Sequence, residues 1–392
     1  MDLSTDELTD LREWRHDFHR HPETAFEEHR TSARVAEMLK GWGLEVHTGL
    51  GGTGVVAVLQ GKRGDGPSIG LRADMDALHV HEINPLPYAS VNEGRMHACG
   101  HDGHTTMLLG AARELASNPD FAGKVVFIFQ PAEENEGGAR VMIEQGLFDR
   151  FPVDAVYGLH NWPGLPVGVA AVHPGPVMAA FDFFSLTLTG KGCHAAMPHL
   201  GKDTLLAACQ LVTQLPALIS REQEVHKPAV LSVTSFHAGD TFNVMPEVVK
   251  LRGTMRCFDM EQRARIEQRF REVVQATASL HGLQAELDYQ VGYPVTMNAS
   301  DHAEVCAGVL EEVLGAGQVR RDMSPSMGSE DFAFMSQVRP GAYIWLGNGE
   351  KSASLHNPGY DFNDSLLPLG VKYWVSLVNA LLNEGKLPRS VR

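Results

Sequence analysis

Val125-Val126-Phe127-Ile128-Phe129 is an unbroken apolar run, closed at once by Gln130-Pro131-Ala132-Glu133-Glu134. A run this short, rich in β-branched and aromatic residues and ended by a proline, reads as a strand buried on both faces. Val55 to Leu59, Ile69 to Ala73 and Ala155 to Leu159 have the same character, with helical segments near 104 to 117 and 138 to 145 between them. This alternation predicts an α/β domain with a largely buried sheet flanked by helices. Two helices open it, with Leu11, Trp14 and Phe18, then Val35, Met38 and Leu39 at helical spacing and Gly41 and Gly43 as stops.

From Phe181 the pattern changes. A strand Phe181 to Thr189, a helix Thr204 to Ile219, strands Ala229 to His237 and Val248 to Arg256, a helix Glu261 to Leu280 and a strand Leu283 to Val291 follow in turn. That order, βαββαβ, predicts a ferredoxin-like sandwich. The chain then returns to Ala303 to Leu314, Ala342 to Leu346 and a last helix Leu366 to Leu382. The expectation is a discontinuous first domain, residues 1–180 and 293–392, with 181–292 inserted. A chain of 392 residues has ample material for two cores.

The count of 33 basic against 48 acidic residues gives a net charge of −15, with no Lys or Arg stripe for phosphates, which excludes nucleic acid as an expected partner. The N-terminus, Met1 to Glu7, is acidic and lacks an apolar signal core, and no run of about 18 apolar residues reads as a membrane span. Cys99, Cys193, Cys209, Cys257 and Cys306 are odd in number and scattered, which fits a reducing compartment rather than a disulfide framework. A soluble, cytoplasmic protein without a membrane partner is expected.

The chemistry concentrates in two segments. His97-Ala98-Cys99-Gly100-His101-Asp102-Gly103-His104 combines a thiol with three imidazoles, and Glu133-Glu134 supplies paired carboxylates. Cys99 and His101 alternate by two, so an extended or tightly looped backbone turns both toward one ion, and sulfur with imidazole favours zinc-like metals. His160 closes an apolar strand and His356 stands in a polar loop. Alone, each is an ordinary hydrogen-bonded histidine. Together with Cys99, His101 and a glutamate they make five ligands, too many for one tetrahedral ion with an open position and right for two ions sharing a bridge. Two rival readings use the same residues: Glu133-Glu134 as an acidic helix start, and Cys99 as a thiol nucleophile activated by His101 or His104.

Nine segments in order carry a resemblance: Arg72-Ala73-Asp74-Met75-Asp76-Ala77-Leu78, Cys99 to His104, Glu133-Glu134, Gly158-Leu159-His160, Gly190 to His199, Asn243-Val244-Met245-Pro246, Arg252 to Arg256, Met327 to Phe332 and Leu355 to Gly359. On these the chain resembles the metal-dependent aminoacylase and carboxypeptidase superfamily, in its hippurate hydrolase and auxin-conjugate amidohydrolase branch. The resemblance implies two divalent ions per subunit (zinc, manganese, cobalt or nickel) bridged by Cys99, with His101 and His160 on one and Glu134 and His356 on the other. A thiolate and a carboxylate leave such a pair electron-poor, able to acidify a bridging water. Adjacent side chains on extended backbone diverge, so Glu134 ligates while Glu133 acts as general base.

Arg72 and Asp74 stand where relatives outside the branch carry a metal-binding His-x-Asp. Asp74, and with it Asp102, reads as a carboxylate behind a ligating imidazole, or Arg72 and Asp74 as a structural ion pair; His104 reads as a cap or packing residue. By resemblance, His194 reaches into the partner subunit's active site to stabilise the oxyanion; otherwise it is a surface histidine. Cys193 replaces the branch's usual glycine, and its Cβ restricts the turn if φ there is positive. Asn243 offers an amide to a substrate carbonyl. Arg256 clamps a substrate carboxylate or pairs with an acidic cross-strand neighbour. Ser329 reads as a helix cap, and Glu330 as a group behind the ligands or in the pocket. The activity implied is hydrolysis of an N-acyl amino acid, hippurate-like, by a homodimer joined through the inserted domain. The alternatives are a dipeptidase or carboxypeptidase, an N-acetyl amino acid deacetylase, and a catalytically silent binding protein.

Overall fold

A computed structural model describes residues 3–134 and 136–388; Met1 and Asp2 of the acidic N-terminus lie outside them. The chain divides into two units, Met1–Val177 with Met297–Ser324 and Asp331–Arg392, and Met178–Thr296 with Pro325–Glu330. The first is built on an eight-stranded sheet in the order Glu45–Leu50, Gly54–Gln60, Lys124–Gln130, Ser68–Asp74, Ala155–Pro163, Gly341–Gly349, Ala170–Ala171, Val319–Arg320. Its four central strands run parallel, with Asp74 opposite Gln130 and His160 opposite Trp345. Antiparallel pairing flanks them on both sides, so the sheet is mixed, in the α/β class expected. The central strands are buried along nearly their whole length, which is why they read as continuous apolar runs instead of alternating ones.

Helices cover this sheet. Thr5–Arg20 begins in a capping box formed by Ser4 and Glu7. His101–Ser117 is buried on almost every side, and Leu367–Leu382 lies against it. Small residues permit the close approach: a Cβ on Gly370 would stand 2.0 Å from Met107 Sδ, and one on Gly110 2.5 Å from Val371 Cγ2. The window Asp364–Leu382, mean hydropathy 1.3, is long and apolar enough to cross a membrane, contrary to the expectation that no such stretch exists. It is 61% buried inside the protein, and Leu367, Val371, Trp374, Leu377, Val378 and Leu381 enter the same core as Leu108, Leu109 and Phe127. Each such side chain contributes about 1.5–3 kcal/mol by leaving water.

The second unit has the βαββαβ order, and its four strands pair antiparallel as Ala229–Ala238, Val248–Cys257, Ala180–Thr189, Gln284–Val291. Ala180–Thr189 alternates buried and open positions, the period of a sheet covered on one face. Phe184, Leu186, Leu188, Val249 and Leu251 meet Ala207, Leu211 and Leu215 of helix Thr204–Ser220 and Phe270 and Val274 of helix Met260–His281. Asp203 and Asp259 cap those helices through Leu206 N (2.9 Å) and Gln262 N (2.7 Å). Pro325–Glu330 joins this unit because Ala179 N donates to both Ser326 O and Gly328 O.

Candidate metal centre and active site

The chemistry gathers beyond the carboxyl ends of the parallel strands, where open α/β sheets bind ligands. Strand Ser68–Asp74 runs out toward Asp76, Lys124–Gln130 toward Glu133 and Glu134, and Ala155–Pro163 carries His160 and Asn161. Cys99 and His101 flank Gly100, whose φ of 91° makes the sharp turn into helix His101–Ser117. A Cβ at Gly100 would stand 2.3 Å from Asn161 Oδ1, so this tight turn, and not an extended segment, faces both side chains one way.

The donor atoms of Cys99, His101 and His160 lie within 4.8 Å of one another, and so do those of Cys99, Glu134 and His356. The two groups share Cys99. His160 Nδ1 lies 2.6 Å from Asn161 O and His101 Nδ1 2.8 Å from Asp76 O, so each ring spends its proton on a carbonyl and turns a bare Nε2 lone pair inward. His160 Nε2 sits 3.4 Å from Cys99 Sγ. His101 Nε2 is buried and makes no hydrogen bond among the described residues. His356, at φ 63° and tied to Ala98 O through its own N–H at 2.8 Å, places Nε2 3.1 Å from Glu134 Oε1. Burial, with Glu134 and Glu133 beside it, pushes the Cys99 thiol well above its ordinary pKa. Thiol, carboxylates and unpaired imidazole nitrogens crowded together are mutually unfavourable unless a cation lies between them, so this donor set fits a divalent metal and suits a free thiolate nucleophile poorly.

Glu133 and Glu134 stand in a turn, which corrects the expectation that extended backbone makes them diverge. Nor do they start a helix, since the next one, Gly138–Glu144, is capped by Gly137. Their carboxylates remain neighbours: the donor atoms of His101, Glu133 and Glu134 fall within 4.8 Å of one another. Ala132, at φ 54°, introduces the turn; a non-glycine residue in that region costs about 1–2 kcal/mol. The Asp76 carboxylate accepts from Glu133 N (3.0 Å) and Glu134 N (2.9 Å). Asp76 stands within the Arg72–Leu78 segment, where nothing in the sequence marks this task.

Arg72 is fully buried and donates to Gln130 Oε1 (2.7 Å), Asp74 Oδ2 (2.7 Å) and Asp331 Oδ1 (2.9 Å), the structural ion pair. Asp74 also accepts from His104 Nδ1 at 2.6 Å and stands 3.8 Å from His101 Nε2. His104 Nε2 meets Asn161 Oδ1 at 2.7 Å, so Asp74, His104 and Asn161 form one buried hydrogen-bonded chain between helix His101–Ser117 and the sheet. Asp102 turns away to His19 Nδ1 (2.8 Å) and Arg15 Nη1 (3.6 Å), tying the first turn of helix His101–Ser117 to helix Thr5–Arg20 instead of backing His101. Burial lowers His97 to a pKa of about 4, which leaves a neutral ring packed behind the loop.

In the second unit, His194 and Asn243 share a small ribbon in which His194 pairs with Val244 and Cys193 with Met245. Both are exposed. Ala196 N donates to His194 Nδ1 at 3.1 Å, which puts the neutral ring's proton on Nε2, facing outward as a donor. Thr241 Oγ1 donates to Asn243 Oδ1 at 3.1 Å, leaving the amide hydrogens outward. Cys193 is absent from the positive-φ residues, so its Cβ imposes no strain. Arg256 faces Phe181 and Val230 across the sheet, neither of them acidic. It donates to Met327 O (2.9 Å) and Ser329 Oγ (2.8 Å) and lies 5.3 Å from the Phe181 ring centroid. Ser329 thus orients Arg256; it does not cap the helix Phe332–Val338, whose cap position is Asp331.

The model of peptidase family M20/M25/M40 matches residues 70–380. Hippurate hydrolase of Campylobacter jejuni is 40% identical over 363 residues, 93% of this chain and 94% of that protein. IAA-amino acid hydrolase ILR1-like 4 of Arabidopsis thaliana is 36% identical over 98% of this chain and 89% of its own length. The crystal structure of a dinuclear metal binding peptidase of the M20 family from Bacillus subtilis superposes with a TM-score of 0.84 at 33% identity, covering 97% of this chain and 99% of that one. Family, relatives and metal-binding donor set agree with the motifs read from the sequence. The chain belongs to peptidase family M20/M25/M40 and is a hydrolase acting on amides.

Proposed function

We propose that the chain cleaves the amide bond of N-acyl amino acids, hippurate-like compounds first among them, releasing a carboxylic acid and an amino acid. One observation carries the reading: two donor groups share Cys99, and within them His101 Nε2 is buried without a hydrogen bond among the described residues. Cys99, His101 and His160 would hold one divalent cation, and Cys99, Glu134 and His356 a second, with zinc, manganese, cobalt or nickel as candidates. Such cations, when bound, polarise the scissile carbonyl and acidify water for attack at neutral pH.

The remaining work falls to the protein. Glu133 takes the proton of the attacking water and returns it to the leaving amine. His194 Nε2–H donates to the developing oxyanion. Arg256 holds the substrate carboxylate and Asn243 its carbonyl. Asp74 steadies the ligand loop through His104. The inserted unit serves as lid and as the contact of a homodimer, in which His194 acts on the partner subunit. Five free cysteines are consistent with a cytoplasmic enzyme.

The test is a panel of hippurate, N-acetyl amino acids and free-amine dipeptides, run with chelator and with zinc, manganese, cobalt or nickel restored. Hippurate is expected to turn over, chelator to stop it and one metal to revive it. Turnover of dipeptides alone overturns the N-acyl reading, and activity that survives chelation overturns the metal reading.

A further inference from the structure

Three consecutive amides at the catalytic turn point at two buried carboxylates. Ala132 N donates to Glu28 Oε1 (2.8 Å), Glu133 N to Asp76 Oδ1 (3.0 Å) and Glu134 N to Asp76 Oδ2 (2.9 Å). Glu28 is fully buried, and Thr53 Oγ1 fixes its other oxygen at 2.5 Å. Glu28 lies 104 residues before Ala132, at the start of helix His29–Gly41, so this contact is not a by-product of local chain geometry. Ala132 sits at φ 54°, a conformation its Cβ disfavours, and Gly138 N closes the turn onto Ala132 O at 2.9 Å. A Cβ at Gly138 would stand 1.8 Å from Pro131 O, so the turn has no slack on that side. Successive N–H groups bent in this way form an anion-binding concavity. Here protein carboxylates fill it.

We infer that Glu28 is a positioning residue for the hydrolytic reaction, holding the left-handed bend at Ala132 that aims Glu133 at the water and Glu134 at the cation. The inference rests on the proposed roles of Glu133 and Glu134. Burial, with Asp76 nearby, raises the Glu28 carboxyl to a pKa of about 7. Both of its protonation states offer Ala132 an acceptor oxygen, and a glutamine keeps that acceptor too. A residue whose work is aim alone therefore tolerates Glu28→Gln and fails on truncation.

The experiment compares the full-length wild type with Glu28→Gln, Glu28→Asp and Glu28→Ala. It measures kcat and KM on hippurate, two-site Mn²⁺ titration by calorimetry, and melting of the chelated protein. Glu28→Gln is expected to stay within about threefold of wild type in kcat. Glu28→Ala is expected to lose about 10- to 100-fold in kcat with KM nearly unchanged, and to bind the weaker of two Mn²⁺ ions about 10-fold less tightly. Glu28→Asp, which keeps the charge but retracts the oxygen, is expected to fall between them, and it carries the test if the alanine variant does not fold. An alanine or aspartate variant that loads both ions and turns over as wild type overturns the inference. So does a loss that appears only as lower melting of the chelated protein. A wild type that binds none of Zn²⁺, Mn²⁺, Co²⁺ and Ni²⁺ sinks the metal reading itself, a result distinct from an insensitive Glu28.

Discussion

Replacing Arg72 by methionine separates the two tasks that its neighbourhood could serve. The guanidinium is fully buried and donates to Gln130 and to the carboxylates of Asp74 and Asp331. Removing one partner of a buried ion pair costs about 3–5 kcal/mol, because the other is left charged without compensation. Neither carboxylate is stranded here. Asp331 keeps Gln130 Nε2 at 2.8 Å on both oxygens and Ala139 N at 2.9 Å, and Asp74 keeps His104 Nδ1 at 2.6 Å. The loss should therefore fall at the low end, about 3 kcal/mol, which lowers Tm by about 6–12 °C in a domain of this general size. The assay is calorimetry of the chelated protein, so that cation occupancy does not enter. Lysine in place of arginine should recover only part of the loss, since an ammonium cannot span Gln130, Asp74 and Asp331 in one plane. A chelated Arg72→Met protein melting within about 2 °C of wild type refutes this reasoning. If its metal affinity had nonetheless dropped, the ion pair would serve the ligand loop and not the fold.

Glu133→Gln should lower kcat by about 10²–10⁴ while metal content by elemental analysis stays at the wild-type level; a fall in bound metal would make Glu133 a ligand. His194→Ala should cost about 10²–10³ in kcat with the Mn²⁺ titration unchanged, and normal turnover would return His194 to an ordinary surface residue. Stability should fall between about pH 6.5 and pH 9. Burial pushes His19 down, but Asp102 and Glu82 outweigh it and raise the ring to about 9, so the charged pair stabilises the fold fully below the free-histidine value and is lost as pH rises through 9. The contribution at stake is about 3 kcal/mol at most. Melting curves of chelated wild type and His19→Gln at pH 6.5 and 9.5 check it, and equal pH slopes for the two proteins would count against the assignment.

Most of the architecture was legible because period and length left few choices. Parallel strands covered by helices on both faces need apolar residues at every position, and Val125 to Phe129 obeys that rule. The strands of the second unit alternate instead, as a sheet covered on one face must, which made the change at Phe181 visible. Elements defined by contact more than by composition went unread. Glu45–Leu50 is an exposed antiparallel edge, Ala170–Ala171 and Val319–Arg320 are two-residue pairings, and the ribbon Cys193–His194 with Val244–Met245 is held by its partner strand. The last helix was legible, but not that it is apolar enough to cross a membrane; only the core packed around it distinguishes the two environments.

The site divides along the same line. A thiol, imidazoles and paired carboxylates announce themselves by residue type, since few other tasks need them in one short stretch, and Cys99, His101, Glu134, His160 and His356 do come together. What holds them is silent in the sequence, because aspartate and glutamate are ordinary surface residues in most chains. Asp76 and Glu28 act by accepting backbone amides, a task that leaves no mark on the residues donating them. The one local sign is negative: residues 132–134 contain no glycine although Ala132 takes a left-handed φ. A bend that glycine would make freely is made by alanine and held by a distant carboxylate. A Cβ and a fixed anchor both narrow the angles open to the chain, and the general base proposed at Glu133, beside the ligand proposed at Glu134, would need that narrowness more than an unstrained turn.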